Sequence, residues 1–227
     1  SYLNYLAMNG AAVFPKAFDK KVVFDSAKGI EAFKWLTSLN NSRHVAVPGS
    51  ELGPNADGSA ALQVFARGEA AIYQAGDWNT VSVTQSAKFK IGVLPLPTGP
   101  KGRVSVFNGL IDAINSDTPH PKEAWELEKW LGSAQSQKIM GEGGYIWPAI
   151  KSLDPLFLKA WKKKGLDLQP FLDEANGQVI NWPVSPGMNE ALTDMGRELG
   201  PAYLNGKDVE DRVRSAAKVA DHDLDRG

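Results

Sequence analysis

The stretch that most constrains the fold runs from Phe65 to Pro97, FARGEAAIYQAGDWNTVSVTQSAKFKIGVLPLP. It opens as a helix end closed by a glycine turn, Phe65-Ala66-Arg67-Gly68-Glu69, and passes at once into an apolar run, Ala70 to Tyr73. Gly68 can take the left-handed backbone that ends a helix without a Cβ penalty. A second apolar run, Ile91 to Leu94, is stopped by Pro95 and Pro97, which have no N–H to donate to a ladder. Few strands among many helices, with strand–helix alternation along the chain, indicate an α/β fold. Between the two runs stand Gly76, Asp77 and Trp78. An indole just past a strand, beside a carboxylate, belongs at the rim of a sheet, and the rims of α/β sheets are where ligands bind.

The remaining chain supplies the helices. Asp25-Ser26 cap Ala27–Leu39, where Ile30, Phe33 and Leu36 recur at helical spacing with Trp35 offset from them. Pro48 to Ser59 is a Gly/Pro/Asn-rich loop. Ala60–Arg67 is a short helix, and strands are expected at Ala70–Gln74 and Lys90–Leu94. A turn at Thr98–Gly102 leads into an extended segment, Val104–Ile114. Pro119 and Pro121 open an amphipathic helix over Lys122–Leu131, with Ala124, Leu127 and Leu131 on one side. A second follows over Ser133–Met140, stopped by Gly141, Gly143 and Gly144. The last third reads as helices at Leu156–Lys164, Phe171–Asn176, Met188–Leu199 and Asp208–Leu224, interrupted by an extended piece, Val179–Pro186. Lys162-Lys163-Lys164 falls at a helix C-terminus, where cations complement the macrodipole on a solvated end. Trp35, Trp125, Trp130 and Trp161 sit inside helical patterns and read as core.

Composition removes several function classes. Lys+Arg number 25 against Asp+Glu 26, a net charge of -1, which argues against a nucleic-acid or anionic-membrane partner. The absence of cysteine excludes disulfides, thiolate metal sites and cysteine catalysis. No apolar run reaches the ~18–20 residues of a membrane span. His44, His120 and His222 have no second histidine or carboxylate four residues on, so no metal site is indicated. Asp221, Asp223 and Asp225, and the pair Asp173-Glu174, read as solvated helix faces, and no nucleophile elbow, P-loop or dinucleotide fingerprint occurs. No opposed carboxylate pair about 5–10 Å apart, as a glycoside hydrolase needs, is indicated either. The expectation is a non-enzymatic protein with no cofactor and no metal.

Five segments in order carry a resemblance. MNGAAVF followed by KKVVFDSAKGIEAFKWL, then ALQVFARGEAAIYQAGDW, FKIGVLPLPTGPKGR, FNGLIDAINSDTPHPKEAWELEKWLGSAQSQ and GYIWPAIKSL together resemble the C-terminal portion of a family-1 extracellular solute-binding protein. Members of that family are maltose-binding-protein-like, the sugar-binding components of bacterial ABC importers. The resemblance covers nearly the whole chain. It implies a periplasmic-binding-protein-like (type II) α/β fold of two lobes, with residues 1–107 the first part of the C-terminal lobe. Residues 108–149 would be a strand and helices belonging to the N-terminal lobe, and 150–227 the second part of the C-terminal lobe. Most of the N-terminal lobe is then expected to be absent from this chain and to act as its partner. The implied function is capture of a sugar or oligosaccharide in an interlobe cleft and delivery to a membrane permease. The implied location is periplasmic or extracellular, with a lipoprotein anchor outside this chain. An isolated lobe acting as an interaction unit is the alternative, as is a non-sugar solute such as a polyamine or glycerophosphodiester.

Sugar chemistry then nominates residues. A pyranose offers C–H faces that stack on aromatic rings and hydroxyls that need partners, since a buried hydroxyl left unpaired costs roughly 1–3 kcal/mol. Trp78 matches the family's strand-end tryptophan, with a packed indole as its structural reading. Asp77 can accept sugar hydroxyls or cap the following turn. Asn108 and Gly109 fall at the crossover, where backbone approaches a cleft or serves as a hinge. Trp147 and Trp182 each precede a proline, which pushes them to extended backbone and projects them from loops. With Tyr145 they complete the candidate ligand-binding set; Tyr2 and Tyr5 lie near a further aromatic position of the family.

Overall fold

The computed structural model describes residues 2–49 and 58–227; the core of the loop expected from Pro48 to Ser59, residues 50–57, lies outside them. Among the described residues the helices are α1 (Tyr2–Met8), α2 (Ala27–Asn41), α3 (Gly58–Ala66), α4 (Thr80–Ser86), α5 (Pro121–Leu131), α6 (Ala134–Gly143), α7 (Asp154–Lys163), α8 (Gln169–Ala175), α9 (Met188–Asn205) and α10 (Val209–Arg226). The strands are β1 (Val104–Phe107) and β2 (Gln178–Asn181). The chain divides into two compact units: Ser1–Gln74, Leu96–Phe107 and Glu174–Gly227 make the first, Ala75–Pro95 and Asn108–Asp173 the second.

The first unit is built around the pairing of α9 with α10. Val209, Val213, Ala216, Ala217, Ala220 and Leu224 form the stripe read from the sequence, and they meet Met188, Ala191, Met195, Leu199 and Ala202 of α9. Small residues at 216, 217 and 220 let the two helices approach closely. Phe24, Ile30 and Phe33 close the core from the α2 side, and Leu3 and Leu6 from α1. Ser26 caps α2 as expected, its hydroxyl accepting the Gly29 N–H at 3.3 Å. β1 pairs in parallel with β2, from Val104 opposite Gln178 to Phe107 opposite Asn181, and Val106 and Ile180 turn toward the core. The Asn4 side-chain amide donates to the Val104 carbonyl at 3.2 Å and ties α1 to β1.

Three expectations about strands and helix ends change. Ala70–Gln74 and Lys90–Leu94 take part in no ladder among the described residues, and Ile72 is 79% exposed. A strand is half of a pair, and apolar alternation without a neighbour leaves only an extended segment. Val104–Ile114 is a strand only to Phe107: the last bond runs from the Trp182 N–H to the Phe107 carbonyl at 3.0 Å, and the chain then passes into the second unit. α9 continues past Leu199 through Pro201 to Asn205. An interior proline costs ~3 kcal/mol, and burial of Leu199 and Ala202 on the same face holds the helix across it.

The second unit has a smaller core, Phe157, Trp161, Leu166 and Leu168, with Val81, Ile91, Val93, Trp147, Leu158 and Phe171 packed around it. α4 was not expected. Its sequence, TVSVTQS, is rich in β-branched residues that disfavour helix, but the hydroxyls bond back along the chain. Thr80 Oγ1 donates to the Asp77 carbonyl at 2.6 Å and Thr84 Oγ1 to the Thr80 carbonyl at 2.9 Å. α5 forms where the proline signal and apolar spacing place it, yet none of its residues is buried. Trp125 and Trp130, read as core, are exposed, as is Trp35 of the first unit; only Trp161 of those four is enclosed. Helical spacing identifies an apolar face but not whether anything covers it. No helix among the described residues is long and apolar enough to cross a membrane.

Candidate functional site

Asp77, Trp78 and Asn79 form a single 3-10 turn that leads directly into α4. Trp78 is 64% exposed, so it is not a packed core indole. Its six-membered ring lies across the backbone of Gly76; a Cβ at that position would overlap the ring. Glycine is therefore what allows the indole to lie flat with its other face free. The Asp77 carboxylate accepts from the N–H groups of Asp77 and Trp78, and burial nevertheless pushes its carboxyl above the ordinary aspartate value. No side-chain bond caps the turn from Gly76, which precedes it. The turn thus offers an aromatic face with a half-buried acid beside it.

The other predicted residues divide between the units. Asn108 and Gly109 lie in the exposed segment after β1, and open space surrounds Gly109. Trp147 is held from two sides: its indole N–H donates to Asp154 Oδ1 at 2.7 Å, and its ring packs on Phe157 with centroids 4.8 Å apart. Tyr145 is exposed and its ring covers Gly143 as that of Trp78 covers Gly76. Trp182 belongs to the first unit, partly exposed just beyond β2. In the same unit Tyr5 donates to Gln74 Oε1 at 2.7 Å and packs against Trp35, while burial pushes the Tyr2 hydroxyl up to about 12.

A cavity of about 310 Å³ opens beside Tyr145 in the second unit. Val81, Thr84 and Gln85 of α4 form one wall, Trp161 and Lys164 at the end of α7 another, and Gly144 the floor. Sequence reading missed this group. Trp161 read as core, which it is, and Lys164 as one of three lysines on a solvated helix end; nothing in the spacing showed that both would turn toward one hollow. Among the described residues no group of three or more His, Asp or Glu could hold a metal ion.

Comparison with known proteins places these elements. The family model for bacterial extracellular solute-binding proteins matches residues 4–167. The chain belongs to that family. Its structure is similar to that of UspC from M. tuberculosis, at 33% identity and a TM-score of 0.81 over 98% of this chain and 54% of that one. It is also similar to maltose-bound MalE3 of T. maritima, at 26% identity and a TM-score of 0.74, with 97% and 56% covered. A solute-binding protein from Thermotoga lettingae bound with alpha-D-tagatose is 21% identical, with a TM-score of 0.75 and coverage of 98% and 55%. No curated protein matches the chain. The solute-binding family read from the five segments is thereby established, as is the type II periplasmic-binding-protein fold; the chain spans about half the length of these structures.

Proposed function

We propose that this chain serves non-enzymatic capture of a sugar or oligosaccharide outside the cytoplasmic membrane, for delivery to the permease of an ABC importer. The observation that carries the reading is Trp78, an exposed indole laid flat over Gly76 with the Asp77 carboxyl beside it. In this reading the free ring face stacks on the C–H side of a pyranose and Asp77 accepts hydroxyls. Asn108 and Gly109 lend polar backbone, Tyr145 adds an aromatic edge, and Trp147 buttresses the loop that carries Tyr145; Trp182, in the first unit, is proposed separately as a ring that meets the ligand. Membership of an extracellular solute-binding family and likeness to maltose- and tagatose-bound structures support it. A periplasmic or extracellular setting follows from the family, with lipid anchoring as part of the proposal. Trp125, Leu127 and Trp130 on the exposed face of α5 suit contact with further polypeptide of the same receptor, the N-terminal lobe that the sequence resemblance implies.

Intrinsic fluorescence tests this directly. Titration with maltose, mannotriose and tagatose, beside spermidine and glycerophosphocholine as non-sugar solutes, is expected to shift tryptophan emission saturably with at least one sugar. That response is expected to disappear in Trp78→Ala. A response to spermidine or glycerophosphocholine alone would replace the sugar with that solute. No response to any of them would remove the reading.

A further inference from the structure

We propose that the cavity between α4, the Gly144–Tyr145 turn and the end of α7 binds a small hydroxycarboxylate, either a free 2-hydroxy acid or the acid end of a uronate sugar. Neither Trp78 nor Asp77 lines it; Tyr145 is the one residue it shares with the sugar reading.

The chemistry of the walls selects the ligand. Trp161 is 3% exposed, and its indole N–H has no hydrogen-bond acceptor. A buried donor left without a partner loses its hydration and gains nothing for it, which is why such groups are rare outside sites that receive something. The Lys164 ammonium stands 4.4 Å above the Trp161 ring, held there by cation–π attraction, and donates to the Gly143 carbonyl at 3.3 Å. Both nitrogens lie against Gly144. A Cβ built on Gly144 would sit 3.1 Å from Trp161 Nε1 and 3.2 Å from Lys164 Nζ. Gly144, at φ +69°, is the residue type that this backbone favours, and it sets no side chain against the two nitrogens.

Two neighbouring residues with N–H donors, one of them cationic, and no acidic residue in the lining suit a carboxylate in preference to a neutral hydroxyl. A hydroxyl on the ligand also has a place. Thr84 Oγ1 already donates to the Thr80 and Val81 carbonyls, so what it shows to the cavity is acceptor capacity. Val81 supplies an apolar side for C–H groups. At about 310 Å³ the hollow lies at the small end of the ~300–1,000 Å³ range of small-molecule sites. One of the three consecutive lysines thus has a role beyond the helix dipole.

The test follows the indole N–H resonances of the 15N-labelled chain, with that of Trp161 assigned by its loss in Trp161→Phe. D-glucuronate, L-lactate, D-glucose and inorganic phosphate are titrated at constant ionic strength. The expected result is a saturable downfield movement of the Trp161 indole proton with a carboxylate and not with glucose or phosphate. Lys164→Met, at an exposed position, is expected to weaken that binding at least ten-fold while leaving any Trp78-dependent sugar response intact. Movement with lactate alone supports a free acid, and movement with glucuronate supports a sugar acid. No movement with either carboxylate, equal movement with glucose or phosphate, or undiminished binding in Lys164→Met would overturn the proposal. Failure here leaves the Trp78 response untouched, so the two readings fail separately.

Discussion

The two units bury their apolar residues to very different degrees. In the first, helix stripes from α1, α2, α9 and α10 meet in one continuous core, with Phe24, Ala191, Val213, Ala216, Ala220 and Leu224 fully enclosed. In the second, four residues form the buried centre, and large apolar groups on α5 and on the segment before it stand in solvent, Ile111 at 92% exposure. The first unit packs the stripes of these four helices against one another, although Trp35 and Ile72 stay exposed. The second has a helix face left to cover, and most of the candidate recognition residues, Asp77, Trp78, Asn108, Gly109 and Tyr145 among them, lie in it. The continuous core and most of the candidate recognition residues therefore lie in different parts of the chain.

Substitutions can break that contrast. The largest effect is expected from Phe24→Ala, which empties a fully enclosed site and should lower unfolding stability by about 3–5 kcal/mol in urea denaturation. A loss below about 1 kcal/mol would mean that the first core is loosely packed. Alkali should act on the same unit. The Tyr2 hydroxyl is pushed up to about 12 by burial, and that of Tyr203 is also raised, by burial and by its neighbour Tyr2. A folded value above the unfolded one contributes stability fully below the ordinary value of 10, lost as pH rises toward the folded value. Phenolate absorbance of these two groups should consequently appear together with unfolding, above about pH 10. Early titration of all five tyrosines in a still-folded chain would contradict it.

Smaller effects belong to the second unit. The Asp77 carboxyl lies above its ordinary value, so the folded state disfavours its charge, and the stability it contributes at low pH declines as pH rises through that value. Asp77→Asn should therefore raise Tm slightly at pH 7 while weakening sugar binding; a fall in Tm would show that the charge is stabilising. Trp125→Ser, on the uncovered face of α5, should change stability by no more than about 0.5 kcal/mol. A loss of 2 kcal/mol or more would place that face inside a core after all.

What was legible in the sequence follows the same division. α2 with its Ser26 cap and α10 with its stripe were readable because local pattern and burial agree there. α5 was readable as a helix, but spacing cannot report whether Trp125 and Trp130 are covered. α4 escaped notice because Thr80, Val81, Val83 and Thr84 favour strands, and the hydroxyl bonds that sustain the helix leave no mark in spacing. Ala70–Gln74 and Lys90–Leu94 looked like strands for the converse reason: their composition fits a sheet, and pairing depends on a neighbour. Gly76-Asp77-Trp78 was visible as a motif, whereas the approach of Trp161 and Lys164 to Gly144 depends on how α7 meets that turn, a tertiary fact.

Sugar capture, as proposed, depends most on the free indole face at Trp78. Calorimetric titration of the chain and of Trp78→Ala with the sugar that shifts tryptophan emission most tests it directly. Loss of a stacking ring is expected to weaken binding by about ten-fold, or ~1.4 kcal/mol, with unfolding stability unchanged. An affinity for that sugar equal to that of the unmodified chain would contradict the account.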